Sequence, residues 1–256
     1  MTTQTIINAD CLEYMKTLPD KSFDLVLTDP PYGTTACNWD TVIPFEPMWE
    51  QLKRVIKPNG AIVLTASQPF TSALVMSNVK MFKYEWIFHK TGASNFASAK
   101  YNPLKYHENI VVFSNGKTTY NPQMEQREGT GLKRVESGYL GNSDTKAGEA
   151  TGLAVGKKDG CYSGELRYPS SVQKINNKHP NDRGQHPTQK PVALFEYLIK
   201  TYTNENETVL DFTMGSGTTL VACKHLNRNC VGIEISEKYC KIAQERLDST
   251  PTPMFQ

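Results

Sequence analysis

The chain has 256 residues, 38 % of them hydrophobic and 21 % charged, with a formal net charge of +2. These proportions are ordinary for a soluble globular protein, and the length suits one large domain, or a domain carrying an insert. The mild positive balance permits a nucleic-acid partner without demanding one.

Residues 5–8 read as a short strand ending near Asp10, and 11–18 as a helix closed by Pro19. Residues 23–28 form a continuous apolar run without alternation, the mark of a strand buried on both faces. Met48, Leu52, Val55 and Ile56 make a helical stripe that stops at the turn residues Pro58, Asn59 and Gly60. The longest uncharged stretch, 61–79, carries Thr, Ser, Gln, Asn and Pro69, so it reads as strand, turn and helix and not as a membrane span. Residues 84–88 and 109–113 are two further strands. From 116 to 185 the pattern lapses into a Gly-, Asn-, Ser- and Lys-rich span with no sustained period, expected to be either an inserted recognition region or a mobile one. Helical pattern resumes at Pro191 and runs to about 201. A strand at 208–211, a helix at 217–226, a strand at 230–233 and a last helix at 236–247 complete the chain.

Alternating strands and helices predict an α/β protein with a doubly wound, mostly parallel sheet. The last helix would lead naturally into the first strand if the ends were joined, which suggests a permuted order. Six scattered cysteines without a C-x-x-C pair speak against zinc and disulfide frameworks. The opening Met1-Thr2-Thr3-Gln4 has no signal-peptide pattern, so a reducing cytoplasm is the expected setting.

Two strand ends carry chemistry. The first is "TDPPYG" at 28–33. An ionised carboxylate at Asp29 and a proline carbonyl whose direction Pro30 and Pro31 fix are both acceptors without donors. Together they suit an amino group with two hydrogens. Tyr32 offers a face for a flat ring, so adenine or cytosine fits. The second is the strand ending at Asp211, followed by "FTMGSGTT" at 212–219. Glycines at a strand-to-helix turn let backbone approach a ligand closely. Glu234 closes the next strand, nineteen residues after Gly215, where an acid can accept from ribose hydroxyls. Ligands of open α/β sheets sit outside the carboxyl ends of the strands. If the two strands are neighbours, a base at Asp29 faces a nucleoside cofactor at Gly215.

"DPPY" and "GSGT", in that order and separated by a variable region, resemble the motifs of the beta-class S-adenosylmethionine-dependent DNA amino methyltransferases. The likeness extends over 8–33, 52–64 and 186–219. It implies a circularly permuted Rossmann-like methyltransferase fold, with 1–115 as the catalytic part, 116–185 as the target-recognition insert and 186–256 as the cofactor-binding part. It further implies S-adenosyl-L-methionine as cofactor, double-stranded DNA as partner, no metal, and room for a homodimer. The implied catalytic residues are Asp29, Pro30, Pro31 and Tyr32. The implied cofactor residues are Asp10, Thr188, Lys190, Asp211, Phe212, Gly215, Ser216, Gly217, Thr218 and Glu234, with Thr188 and Lys190 near the methionyl end. Asp10 has an equal alternative as a helix cap, and Lys190 as a solvated charge. The family often has Pro-Phe where this chain has Phe212-Thr213, so Phe212 either supplies the adenine contact or leaves it unmade.

Asp at the first motif position leans toward adenine-N6 over cytosine-N4, although both use the same acceptors. An RNA or protein amide methyltransferase, or a non-catalytic DNA-binding regulator, fits the motif order or the intact motifs less well. Residues 80–117 hold six lysines against two acids with tyrosines interleaved, and Arg127, Arg134, Arg167 and Arg183 are candidates for reading base edges.

Overall fold

The computed structural model describes residues 2–35, 40–128, 166–177 and 189–251. By internal contacts the chain divides into one unit of 1–121 with 171–256 and a second of 122–170.

The first unit is built on an eight-stranded sheet. Its strands in chain order are β1 (Gln4–Asn8), β2 (Phe23–Thr28), β3 (Ile56–Ala66), β4 (Phe82–Lys90), β5 (His107–Phe113), β8 (Val172–Ile175), β9 (Thr208–Asp211) and β10 (Asn229–Glu234). Its helices are α1 (Cys11–Met15), α2 (Phe45–Val55), α3 (Phe70–Ser77), α4 (Val192–Tyr202), α5 (Thr218–His225) and α6 (Glu237–Ser249). The spatial order is β1-β10-β9-β2-β3-β5-β4-β8, with β5 antiparallel to both its neighbours and every other pairing parallel. Chain order reverses where β9 lies against β2, a topological switch point. β1 pairs with β10 in parallel, next to the strand that α6 follows, in keeping with the permuted order read from the sequence.

All six residues of β2 are buried, as its unbroken apolar run requires. Leu25 and Leu27 point into a core with Leu194, Leu198, Leu220 and Ala243 of α4, α5 and α6. Val26 points the other way, into a core with Leu52, Val55 and Leu74 of α2 and α3. Burying each such side chain stabilises the fold by about 1.5–3 kcal/mol, so the central strand is locked from both sides.

Three local features differ from the sequence reading. The Pro58-Asn59-Gly60 turn does not separate α2 from β3. It bulges out of β3, whose register jumps from Phe23↔Ile56 to Leu25↔Ala61, and Lys57 closes the bulge on both carboxylate oxygens of Asp24 at 2.8 Å. The first helix ends at Met15. β8, within the span expected as an insert, is an edge strand of the main sheet beside β4. No helix among the described residues is long and apolar enough to cross a membrane.

In the second unit, β6 (Glu125–Gln126) pairs antiparallel with β7 (Leu166–Arg167). Arg127 donates to the Leu166 carbonyl at 2.9 Å, and Arg167 pairs with Glu125 at 2.9 Å. Arg134 and Arg183 lie outside the described residues.

Candidate active site

β2 stops at Thr28 because Pro30 and Pro31 have no N–H to continue the ladder. The chain then turns through Tyr32 and Gly33, the latter in the left-handed region at φ 66°. Asp40 holds this turn, accepting from the backbone N–H of Gly33 at 2.8 Å, Thr34 at 2.9 Å and Thr35 at 2.7 Å. Burial would raise the Asp40 pKa, but a hydrogen bond from the Thr35 side chain together with these backbone donors outweighs it and lowers it. The adjacent β9 stops at Asp211 and turns through Gly215 (φ 50°) and Gly217 (φ 81°) into α5. The two strand ends are laced together: Thr28 Oγ1 lies 2.6 Å from Thr213 Oγ1 and donates to Asp211.

Between these turns and the end of β10 lies a cavity of about 670 Å³. Asp29, Pro30, Pro31 and Tyr32 line it from β2, and Asp211, Phe212, Gly215, Ser216 and Thr218 from β9 and α5. Glu234 and Asp10 border it, and so does Lys190. Thus thirteen of the fourteen residues singled out from the sequence can be located, and Thr188 lies outside the described residues.

Their partners differentiate them. Asp29 accepts from Tyr32 Oη at 2.6 Å, from Thr65 Oγ1, and from Lys190 Nζ at 2.7 Å on both oxygens. Tyr32 stacks on Phe70 at 5.2 Å between ring centroids, which covers one face of its ring. Burial first, and Asp29 second, push the Tyr32 hydroxyl well above its usual pKa, so it stays a donor. Lys190 Nζ also lies 3.2 Å from Glu108, which Lys90 meets at 3.1 Å. Asp29, Lys190, Glu108 and Lys90 therefore form a chain of alternating charge. Burial works against the charged forms of Lys190 and Glu108. The two carboxylates nevertheless hold Lys190 well above the usual lysine range, and the two lysines hold Glu108 down at about 2.

Asp10 caps α1, accepting from Glu13 N at 3.0 Å, and also lines the cavity. Glu234 accepts from Gly215 N at 3.0 Å and Ser236 N at 2.8 Å; burial outweighs these donors and raises its pKa. Asp211 is raised to about 6 by burial, against hydrogen bonds from Thr219, Thr28 and Thr213 N. Ser216 donates to Gln189 at 2.8 Å, so in the "TQK" run Gln189 reaches the glycine turn while Lys190 reaches Asp29. Gly217 does not line the cavity. A Cβ there would sit 2.8 Å from Ala243 Cβ, so this glycine lets α5 pack against α6. Phe212 is buried and lines the cavity, and Thr213, in the place of the family's aromatic, is a polar lace between strand ends.

Sequence reading missed Thr65, Glu108, Lys90 and Ile235. Thr65 on β3 meets Asp29 directly, and Glu108 on β5 and Lys90 on β4 join it through Lys190, brought together by the pairing of β5 with β3 and β4. Ile235 is 68 % exposed on the cavity wall, directly after Glu234, and its one legible signal was an apolar residue following a strand-end acid.

The chain matches a family model described as DNA methylase over residues 23–245. It is 30 % identical over 262 residues to the Type II methyltransferase M.HpaI of Haemophilus parainfluenzae, covering 96 % of this chain and 74 % of that one. Its fold is similar to that in the crystal structure of the M1.HpyAVI-SAM complex, with a TM-score of 0.64 and 24 % identity over 96 % of this chain and 100 % of that one. It is also similar to the PvuII DNA methyltransferase (cytosine-N4-specific), with a TM-score of 0.67 and 15 % identity over 96 % and 87 % of the two chains. With the motifs of the two strand ends facing one cavity and a family match that runs through both, the chain belongs to the DNA methylase family.

Proposed function

We propose that this DNA methylase transfers a methyl group from S-adenosyl-L-methionine to the exocyclic N6 of adenine in double-stranded DNA. The observation that carries the reading is one cavity bordered by Asp29 at the end of β2 and by Gly215 and Glu234 at the ends of β9 and β10. The residues present fit the cofactor. The cavity volume suits a ligand of its size, Gly215 keeps side-chain atoms out of the turn, Glu234 and Asp10 are acceptors for hydroxyl and amino groups, and Ile235 offers an apolar wall. When bound, S-adenosyl-L-methionine supplies a sulfonium methyl, an electrophilic carbon.

The chain's own groups act on the base. Asp29 Oδ1 is occupied by Tyr32, Thr65 and Lys190, whereas Oδ2 receives only Lys190, so Oδ2 retains capacity for an amino hydrogen. A hydrogen bond there draws the amine nitrogen out of conjugation and stabilises positive charge as that nitrogen attacks carbon. That nitrogen would take up the methyl of the bound cofactor with a neutral thioether as the leaving group, and the surplus N6 proton would pass to solvent. Residues 116–185 are proposed to select the site, since both reactive motifs lie outside that span.

The test is nucleoside mass spectrometry and modified-base sequencing of DNA from cells expressing the chain. N6-methyladenine at a defined site is expected. N4-methylcytosine at such a site would overturn the adenine assignment and leave the two-acceptor chemistry standing.

A further inference from the structure

The connection between β4 and β5, residues 91–106, leaves the sheet beside the cavity. β5 runs antiparallel to β3 with Asn109 opposite Ala66 and Ile110 opposite Thr65, so the connection emerges at the end of β3 where Thr65 meets Asp29. It is a closed loop braced from within. Asn95, at φ 115°, donates to the Pro103 carbonyl at 3.0 Å and accepts from Lys105 N at 2.7 Å. Ser94 N donates to the Lys105 carbonyl at 3.1 Å, and Tyr101 N to the Ser98 carbonyl at 2.8 Å. Its base is tied to the charge chain: Lys90 donates to Ser94 Oγ at 2.8 Å and pairs with Glu108, which meets Lys190 and through it Asp29. Lys105 Nζ donates to Ser67, just past β3.

This braced loop holds its large apolar side chains outward. Tyr101 is 84 % exposed and Phe96 67 %, and Leu104 and Tyr106 are exposed too. Single exposed apolar side chains are ordinary, but four within one closed loop at the rim of a site are a contact surface. The span contains Lys100 and Lys105 and no acid, so it suits a polyanion. Aromatic faces beside lysines fit nucleic-acid bases and phosphates.

A base inside a stacked duplex cannot reach Asp29, so the target must leave the stack, and unstacking costs a few kcal/mol. We propose that residues 91–106 enter the DNA duplex at the target, with Tyr101 stacking in the gap left by the extruded base and Lys100 on the flanking phosphate. The proposal rests on the methylase reading of the cavity. It adds the element that opens the DNA. The braces give the loop a fixed shape, which limits the ordering cost of inserting a ring.

The experiment uses the full chain and an oligonucleotide duplex carrying the site found by modified-base sequencing. Methyl transfer is compared between wild type, Tyr101→Ala, Tyr101→Phe and the Phe96→Ala/Tyr101→Ala double variant, on the paired duplex and on one with the target base mispaired. Tyr101→Ala should lose roughly 10- to 100-fold in kcat/KM on the paired duplex, the scale of one base–aromatic stack. It should recover most of that on the mispaired duplex, where extrusion is easier. Tyr101→Phe should stay near wild type, and 2-aminopurine at the target should brighten with wild type and not with Tyr101→Ala. A double variant that is fully active on paired DNA, or one equally impaired on both duplexes, overturns the wedge. A wild-type chain that transfers no methyl to either duplex overturns the methylase reading and the wedge with it.

Discussion

Glu108 sits between two lysines and is the member of the charge chain most open to a quantitative test. Its side chain is 17 % exposed, Lys90 is 6 % and Lys190 9 %. Its pKa falls from 4.5 to about 2, because the lysines outweigh burial. That difference, roughly 2.5 units at about 1.36 kcal/mol each, makes the ionised group worth about 3 kcal/mol to folding. Glu108→Gln removes this and leaves Lys90 without its carboxylate, in line with the ~3–5 kcal/mol cost of breaking a buried pair from one side. A folded pKa below the unfolded value means that the stabilisation is present above pH 4.5 and is lost as pH falls toward about 2. The variant should therefore trail wild type by about 3 kcal/mol near pH 7, and by about 1 kcal/mol less near pH 3.5. Urea unfolding followed by the fluorescence of the buried Trp49 and Trp86 measures both. Equal midpoints near neutral pH, or a gap that stays constant into acid, would refute the pairing.

Asp29→Ala should lower methyl transfer by at least ~100-fold, since it removes the acceptor for the attacking amine, while calorimetric binding of S-adenosyl-L-methionine changes little. A matching loss of cofactor affinity would move Asp29 to the cofactor side. Gly217→Ala forces a side chain into the left-handed region and against Ala243 Cβ at 2.8 Å, so it should cost about 2–3 kcal/mol in urea unfolding; an unchanged midpoint would mean that α5 and α6 separate freely. Asp211 has its pKa raised from 3.8 to about 6, so its contribution to stability is full below 3.8 and lost as pH rises through 6. Asp211→Asn should gain about 2–3 kcal/mol relative to wild type between pH ~4 and ~7, and a flat difference would show that Asp211 titrates normally.

The strands around the switch point were legible because β2, β9 and β10 are short apolar runs, each with an acid at or just after its carboxyl end. From these the sequence reading brought Asp29, Gly215 and Glu234 to one cavity, although 161 residues separate Asp29 from Lys190 and the roles of the intervening lysines stayed hidden. Lys90, Glu108 and Lys190 come from three separate segments, and no local period connects them. Their meeting depends on β5 running antiparallel, which places His107 opposite His89 and so brings Glu108 near Lys90. Gly217 was read as a cofactor residue because a glycine in a ligand turn and a glycine at a helix contact look alike until Ala243 is seen beneath it. The β3 bulge escaped notice because Pro58-Asn59-Gly60 is an equally good turn between elements.

The hydrogen bond from Thr28 to Asp211 spans 183 residues, and it joins two adjacent interior strands of the sheet. On the ribosome, β2 is made long before β9, and at ~5–20 residues per second the interval is roughly 10–40 s. Once β3 has been made, β2 has β3 on one side and an open backbone edge on the other until β9 arrives, an invitation to pair with another nascent chain. Such distant pairing also slows folding, because the loop between the strands must close before the contact stabilises anything. The split of the active site between early and late segments therefore acts as a timer: the emerging chain cannot assemble the Asp29–Gly215 cavity, and cannot modify DNA, until β9 and β10 have been synthesised and docked.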